Sequence, residues 1–94
     1  MVKTTWNGET IAQSDDTVVV ENNHYFPRDA VKMDRLVPSD TQTHCPWKGE
    51  ATYFSVKAGE NTNADAAWSY EDPKPAASEI KGRIAFWKGV EVGE

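Results

Sequence analysis

The sequence predicts an all-β fold: a small barrel or sandwich of coiled antiparallel sheets with one or two short helical turns. Three observations carry this expectation. Short β-branched and aromatic runs alternate with turn residues at roughly ten-residue spacing. No apolar stripe of helical period lasts long enough for a substantial helix. Four Trp, three Tyr and three Phe supply a chain of 94 residues with large rings, each able to remove roughly 150–250 Å² from water. A chain this short buries only about 60–70% of its surface, so such rings stand in for the aliphatics of a longer protein. One domain over 1–94 is expected, with a radius of gyration of about 12 Å.

The elements follow in order. Trp6-Asn7-Gly8-Glu9 reads as a hairpin turn, because Asn-Gly suits positive-φ positions, and Thr10 to Ser14 returns. Asp15-Asp16 turns the chain into the β-branched strand Thr17 to Glu21. Asn22-Asn23 turns it again into His24-Tyr25-Phe26. Pro27 to Val31 forms a helical turn with Pro at its first position. Asp34 to Val37 is extended, since Pro38 disfavours helix before it. Ser39 to Gly49 reads as an irregular loop. Glu50 to Lys57 is the strongest strand, with Ala51, Tyr53 and Ser55 on one face and Thr52, Phe54 and Val56 on the other. Ala58 to Asn63 is a polar turn. Ala64 to Tyr70 is a strand placing Trp68 and Tyr70 on one face. Asp72-Pro73-Lys74-Pro75 breaks it, Ala76 to Lys81 is a short helix, and Gly82 to Trp87 and Gly89 to Val92 are closing strands.

Composition excludes several functions. The net charge is −5, from 15 acidic and 10 basic residues, and the basic residues are scattered. A nucleic-acid partner is not expected, because phosphate neutralisation needs clustered Lys and Arg. The single cysteine can form neither an internal disulfide nor a multi-thiolate zinc site. No cofactor is expected, and no metal site, since the two histidines have no ligand spacing. The N-terminus lacks the apolar run of a signal peptide or membrane span, so no membrane partner is expected and the cytoplasm is the expected location. The sequence leaves monomer and homodimer both open.

The richest chemistry lies in Ser39-Asp40-Thr41-Gln42-Thr43-His44-Cys45-Pro46-Trp47-Lys48-Gly49-Glu50. Cys45 and Lys48 are the candidate reactive groups. A nearby imidazole can activate a thiol, yet neighbours on an extended chain point apart, so His44 is a poor base for Cys45. The plainer reading of Cys45 is packing. Gly49 allows close backbone approach, Lys48 would project at the edge of a site beside Tyr53, and Trp47 would stack on a ligand or cap the core. Asp15-Asp16, and Asp29 with Asp34, are acidic pairs of the kind that hold magnesium. No phosphate-cradling glycine loop accompanies them, and Asp in a turn caps backbone.

The order of these segments resembles a known family. Trp6-Asn7-Gly8, then Tyr25-Phe26-Pro27-Arg28-Asp29-Ala30-Val31, the block Ser39 to Tyr53, Ala67-Trp68-Ser69-Tyr70-Glu71-Asp72-Pro73 and Ile84-Ala85-Phe86 are similar to the domain of unknown function 427 family, over nearly the whole chain. The resemblance implies a compact, mostly β fold with a pocket lined by signature residues. Positions matching its motif are Tyr25, Pro27, Ser39, Asp40, Thr41, Thr43, Cys45, Pro46, Lys48, Gly49, Tyr53, Trp68, Tyr70 and Pro73. Trp47 and Ser69 fall where the family often carries another aromatic. A nucleotidyltransferase label attaches to the family, but that reaction needs magnesium-holding carboxylates beside a phosphate loop, and the sequence has no such pairing.

The leading expectation is a small-molecule binding module. Its ligand-binding candidates are Tyr25, Ser39, Thr41, Thr43, Cys45, Trp47, Lys48, Tyr53, Trp68 and Tyr70. The alternatives are an enzyme using Cys45 or Lys48 on a small molecule, and a protein-interaction domain.

Overall fold

The computed structural model describes residues 1–94. Nine strands run β1 (Val2–Trp6), β2 (Glu9–Ser14), β3 (Val18–Val20), β4 (Asn23–Tyr25), β5 (Leu36–Cys45), β6 (Gly49–Ala58), β7 (Asn61–Ser69), β8 (Ile84–Phe86) and β9 (Glu91–Gly93). Three short 3₁₀ segments, Arg28–Ala30, Met33–Arg35 and Pro75–Ile80, are the only helical elements. The protein is thus mainly β and antiparallel, as the turn spacing implies. The Cα radius of gyration is 12.4 Å.

The strands form three sheets, ordered β2-β1-β9, β3-β4 and β5-β6-β7-β8. The four-stranded sheet is the centre of the molecule, because both of its faces are covered. One face sends Phe54, Val56, Ala67, Ile84 and Phe86 into a cluster with Val2, Ile11 and Ala12 of the first sheet. The other sends Ala51, Trp68 and Ala85 into a second cluster, with Tyr25, Tyr70, Ala77 and Ile80. Strand alternation explains this division: Ala51 and Tyr53 sit on one side of β6, Phe54 and Val56 on the other. Phe26 joins the layers by exchanging backbone hydrogen bonds with Ile84 at 2.8 and 3.0 Å.

Ser39 to Gly49 is not an irregular loop. Ser39 to Cys45 belongs to β5, and Thr43, His44 and Cys45 pair with Ala51, Glu50 and Gly49 of β6. Only Pro46, Trp47 and Lys48 form the turn. Pro38 is tolerated because β5 is an edge strand, where a missing N–H need not break a ladder. The register then jumps from Pro38 to Gln42, so Ser39-Asp40-Thr41 bulges outward opposite Tyr53.

A second irregularity lies in β7. Phe54 pairs with Ala67 but Val56 with Asn63, and Asp65 in between adopts a left-handed φ of 55. The bulge lets both Ala66 and Ala67 reach the same apolar cluster. It is held by Ser55 Oγ, which accepts the Asp65 N–H at 3.2 Å, and by Thr41, which donates its hydroxyl to Asp65 Oδ2 at 2.8 Å.

Candidate functional site

On the second face of the central sheet, strand register gathers aromatic rings. Tyr53 of β6 lies directly opposite Trp68 of β7, which lies opposite Ala85 of β8. Two residues beyond Ala85, the Trp87 ring packs edge-on to Trp68 at 5.7 Å and tilted to Tyr53 at 6.4 Å. Tyr70 follows Trp68 at the same parity. Together with Asn23 and Lys48, these rings line a cavity of about 210 Å³.

The cavity floor is fixed from below. Tyr25 is fully buried, and its hydroxyl accepts the Trp68 Nε1–H at 3.2 Å, with the rings edge to face at 6.1 Å. Burial raises the phenol pKa of both Tyr25 and Tyr70, so both stay neutral hydrogen-bonding groups.

Lys48 is the one buried charged residue of the chain. Its ammonium hydrogen-bonds the Glu21 carboxylate. It also stands 5.3 Å from the centre of the Trp47 ring and 5.4 Å from that of Tyr70, within cation–π range. Burial opposes the charge, but Glu21 and the Tyr25 and Tyr70 hydroxyls outweigh it and raise the amine's pKa. Lys48 is therefore a stable cation. Its backbone is equally fixed. The Lys48 carbonyl accepts the Lys74 N–H at 2.9 Å, and Lys74 Nζ donates to the Pro46 carbonyl at 2.7 Å. Gly49 turns at φ 109 against the backbone of Asp72–Lys74.

Glu21 comes from a separate element. It and Asn22 occupy the tip of the β3–β4 hairpin with φ of 53 and 67, the paired positive values of a tight hairpin turn. Its carboxyl is held below the ordinary range by the Lys48 hydrogen bond and then by the Lys48 charge.

Of the sequence-predicted residues, Lys48, Tyr53, Trp68 and Tyr70 border the cavity. Thr43 stands at its rim, sharing a 3.0 Å hydrogen bond with the Tyr53 hydroxyl. Lys48 is buried within the site rather than projecting at its edge. Tyr25 lies beneath the cavity as core. Cys45 is half-buried against the second cluster. His24 Nδ1 is engaged with Thr17 Oγ1 at 2.8 Å and His44 is exposed, so neither histidine is bonded to the thiol. Trp47 is 40% exposed and stacks over Lys48. Ser39 and Thr41 serve the Asp65 bulge, lowering that carboxyl's pKa through their hydrogen bonds.

Three contributors escaped the sequence reading. Trp87 had a usable signal, because Ile84-Ala85-Phe86-Trp87 alternates and puts Trp87 on the Trp68 face. Asn23 and Glu21 had none, since only the folded hairpin brings them to Lys48.

A larger depression, of about 440 Å³, is lined by Pro27, Arg28, Asp29, Lys81, Gly82 and Arg83. It has no apolar wall, and its arginines are spent on Glu71 and on the backbone carbonyls of Gly82, Asp16 and Tyr25.

A family model described as Domain of unknown function (DUF427) matches residues 1–93. The chain belongs to the DUF427 family. No curated protein is significantly similar to it. In this DUF427 protein no three His, Cys, Asp or Glu side chains converge. Asp15 pairs with the N-terminus at 3.3 Å and Asp16 faces Arg83 at 3.7 Å, so that acidic pair has structural partners. No helix is long and apolar enough to cross a membrane.

Proposed function

We propose that this DUF427 protein is a cytoplasmic single-domain module that binds a small molecule between Tyr53, Trp68, Tyr70 and Trp87, with Lys48 as the polar anchor. The observation that carries this reading is the cavity itself. Two rings at paired strand positions, Tyr53 and Trp68, and two just past strand ends, Tyr70 and Trp87, line one cavity with the single buried charged side chain. Binding sites are mostly apolar concavities with a few placed polar groups, and the larger depression lacks the apolar part. Enzymatic use of Lys48 as a nucleophile is disfavoured, because Glu21 keeps the amine protonated. Cys45 has no hydrogen-bonded base.

Neither a metal nor nucleic acid enters the reading. The chain carries net −5, and no three His, Cys, Asp or Glu side chains converge. The test uses the tryptophans that line the site. Small aromatic compounds should quench or shift the emission of Trp68 and Trp87, and the effect should vanish in Tyr53→Ala with the fold retained. A screen in which no small molecule perturbs that emission, and a native mass spectrum free of any retained metabolite, would defeat the proposal.

A further inference from the structure

We infer that the cavity takes small single-ring monocarboxylates, and that the ligand's carboxylate competes with Glu21 for the Lys48 ammonium. This rests on the binding-module reading above and names its ligand class. The ammonium is buried, and the contacts around it are two ring faces and one carboxylate. An ammonium has three donors, and Glu21 is the only oxygen that takes one. The site is thus built around an anion.

That anion can be exchanged. The Glu21 side chain is 54% exposed and projects from the tip of the β3–β4 turn, while the hairpin beneath it stays anchored through Tyr25. Glu21 turned into solvent regains full hydration, whereas Lys48 left alone would be an unpaired buried charge. Exchange of one carboxylate for another keeps the cation paired.

Charge and size set the rest of the class. One ammonium matches one negative charge, and a phosphate dianion would leave a charge unbalanced beside Glu21. The volume of about 210 Å³ equals about seven water molecules at liquid density, enough for one ring and its acid group. The ring would lie on the floor made by Trp68 and Tyr70, with Tyr53 and Trp87 as walls and the Asn23 amide at the rim.

Calorimetric titration of the full chain with benzoate and with benzamide, its neutral counterpart, tests this. Wild type should bind benzoate at least about tenfold tighter than benzamide, the lower end expected for a charge-assisted hydrogen bond. Glu21→Gln should tighten benzoate further and leave benzamide unchanged. Lys48→Met should make the two probes equal. Equal binding of both probes to the wild type would overturn the carboxylate class while leaving the binding module standing. Weaker benzoate binding in Glu21→Gln would overturn the competition, and this arm decides even if Lys48→Met fails to fold. Failure of benzoate, benzamide and phenol alike to alter tryptophan emission would overturn the binding module as well.

Discussion

Trp68 donates its indole N–H to the hydroxyl of Tyr25 at 3.2 Å, and the two rings meet edge to face. This pair ties the sheet bearing the cavity to the β3–β4 hairpin that carries Glu21. The cavity floor is therefore also core.

Removing either half of the pair should cost stability by a different route. Tyr25→Phe leaves the indole N–H without its partner, a loss of about 1–3 kcal/mol. Trp68→Ala opens a void in the second cluster and should cost about 3–5 kcal/mol. Urea unfolding of the two variants should rank them in that order. A Tyr25→Phe protein as stable as wild type would mean that water satisfies the indole.

Lys48 separates packing from charge. Its burial means that Lys48→Ala is not neutral to folding, as a surface lysine would be. The lost stem packing should destabilise by about 1–3 kcal/mol. Lys48→Met keeps the stem and should stay within about 1.5 kcal/mol of wild type, because the stranded Glu21 carboxylate can turn to water. Paired thermal melts check this. Equal losses in both variants would make the ion pair, not the packing, the larger contribution.

The carboxyls of Glu21 and Asp65 titrate below their ordinary range in the folded protein. Their contribution to stability is full above the ordinary carboxylate range, and it is lost as pH falls through the depressed folded values. Lys48, Tyr25 and Tyr70 are raised, so their contribution is full below their ordinary values and is lost as pH rises through the raised ones. Unfolding midpoints should form a plateau at neutrality with an acid and an alkaline limb. Glu21→Gln should lower the plateau and flatten the acid limb. An unchanged acid limb would show that Glu21 is not held by Lys48 in solution.

Gly49 should resist substitution. Its φ of 109 is unfavourable for any side chain, although an added Cβ would sit in ordinary van der Waals contact with the Asp72–Lys74 backbone at about 3.6 Å. Gly49→Ala should cost about 1–3 kcal/mol, or roughly 4–8 °C per kcal/mol in melting temperature for a domain of this size. Gly8→Ala offers a comparison, because its added Cβ meets nothing within 4 Å, leaving backbone strain alone. Both variants should lose stability through backbone strain, and a Gly49→Ala protein as stable as wild type would show that the turn relaxes away from the positive φ.

The β class, most turns and the face pattern of the central strands were legible in the chain alone. Those features are local: Asn7-Gly8 needs only its own dihedrals, and the alternation of Ala51, Tyr53 and Phe54 follows from the pleat. The sequence also placed Tyr53, Trp68 and Tyr70 on one side. Only the folded protein makes Ser39 to Cys45 a strand, because a polar segment flanked by Pro38 and Pro46 becomes extended only when β6 offers a ladder to its inner edge. It alone made Lys48 a buried cation, since burial depends on Lys74 pinning the turn and on a hairpin tip 27 residues earlier supplying the counter-charge. Ion pairing across such separations leaves no periodic trace in a chain. The rings of the site were therefore legible one strand at a time, while its electrostatics existed only once the two elements met.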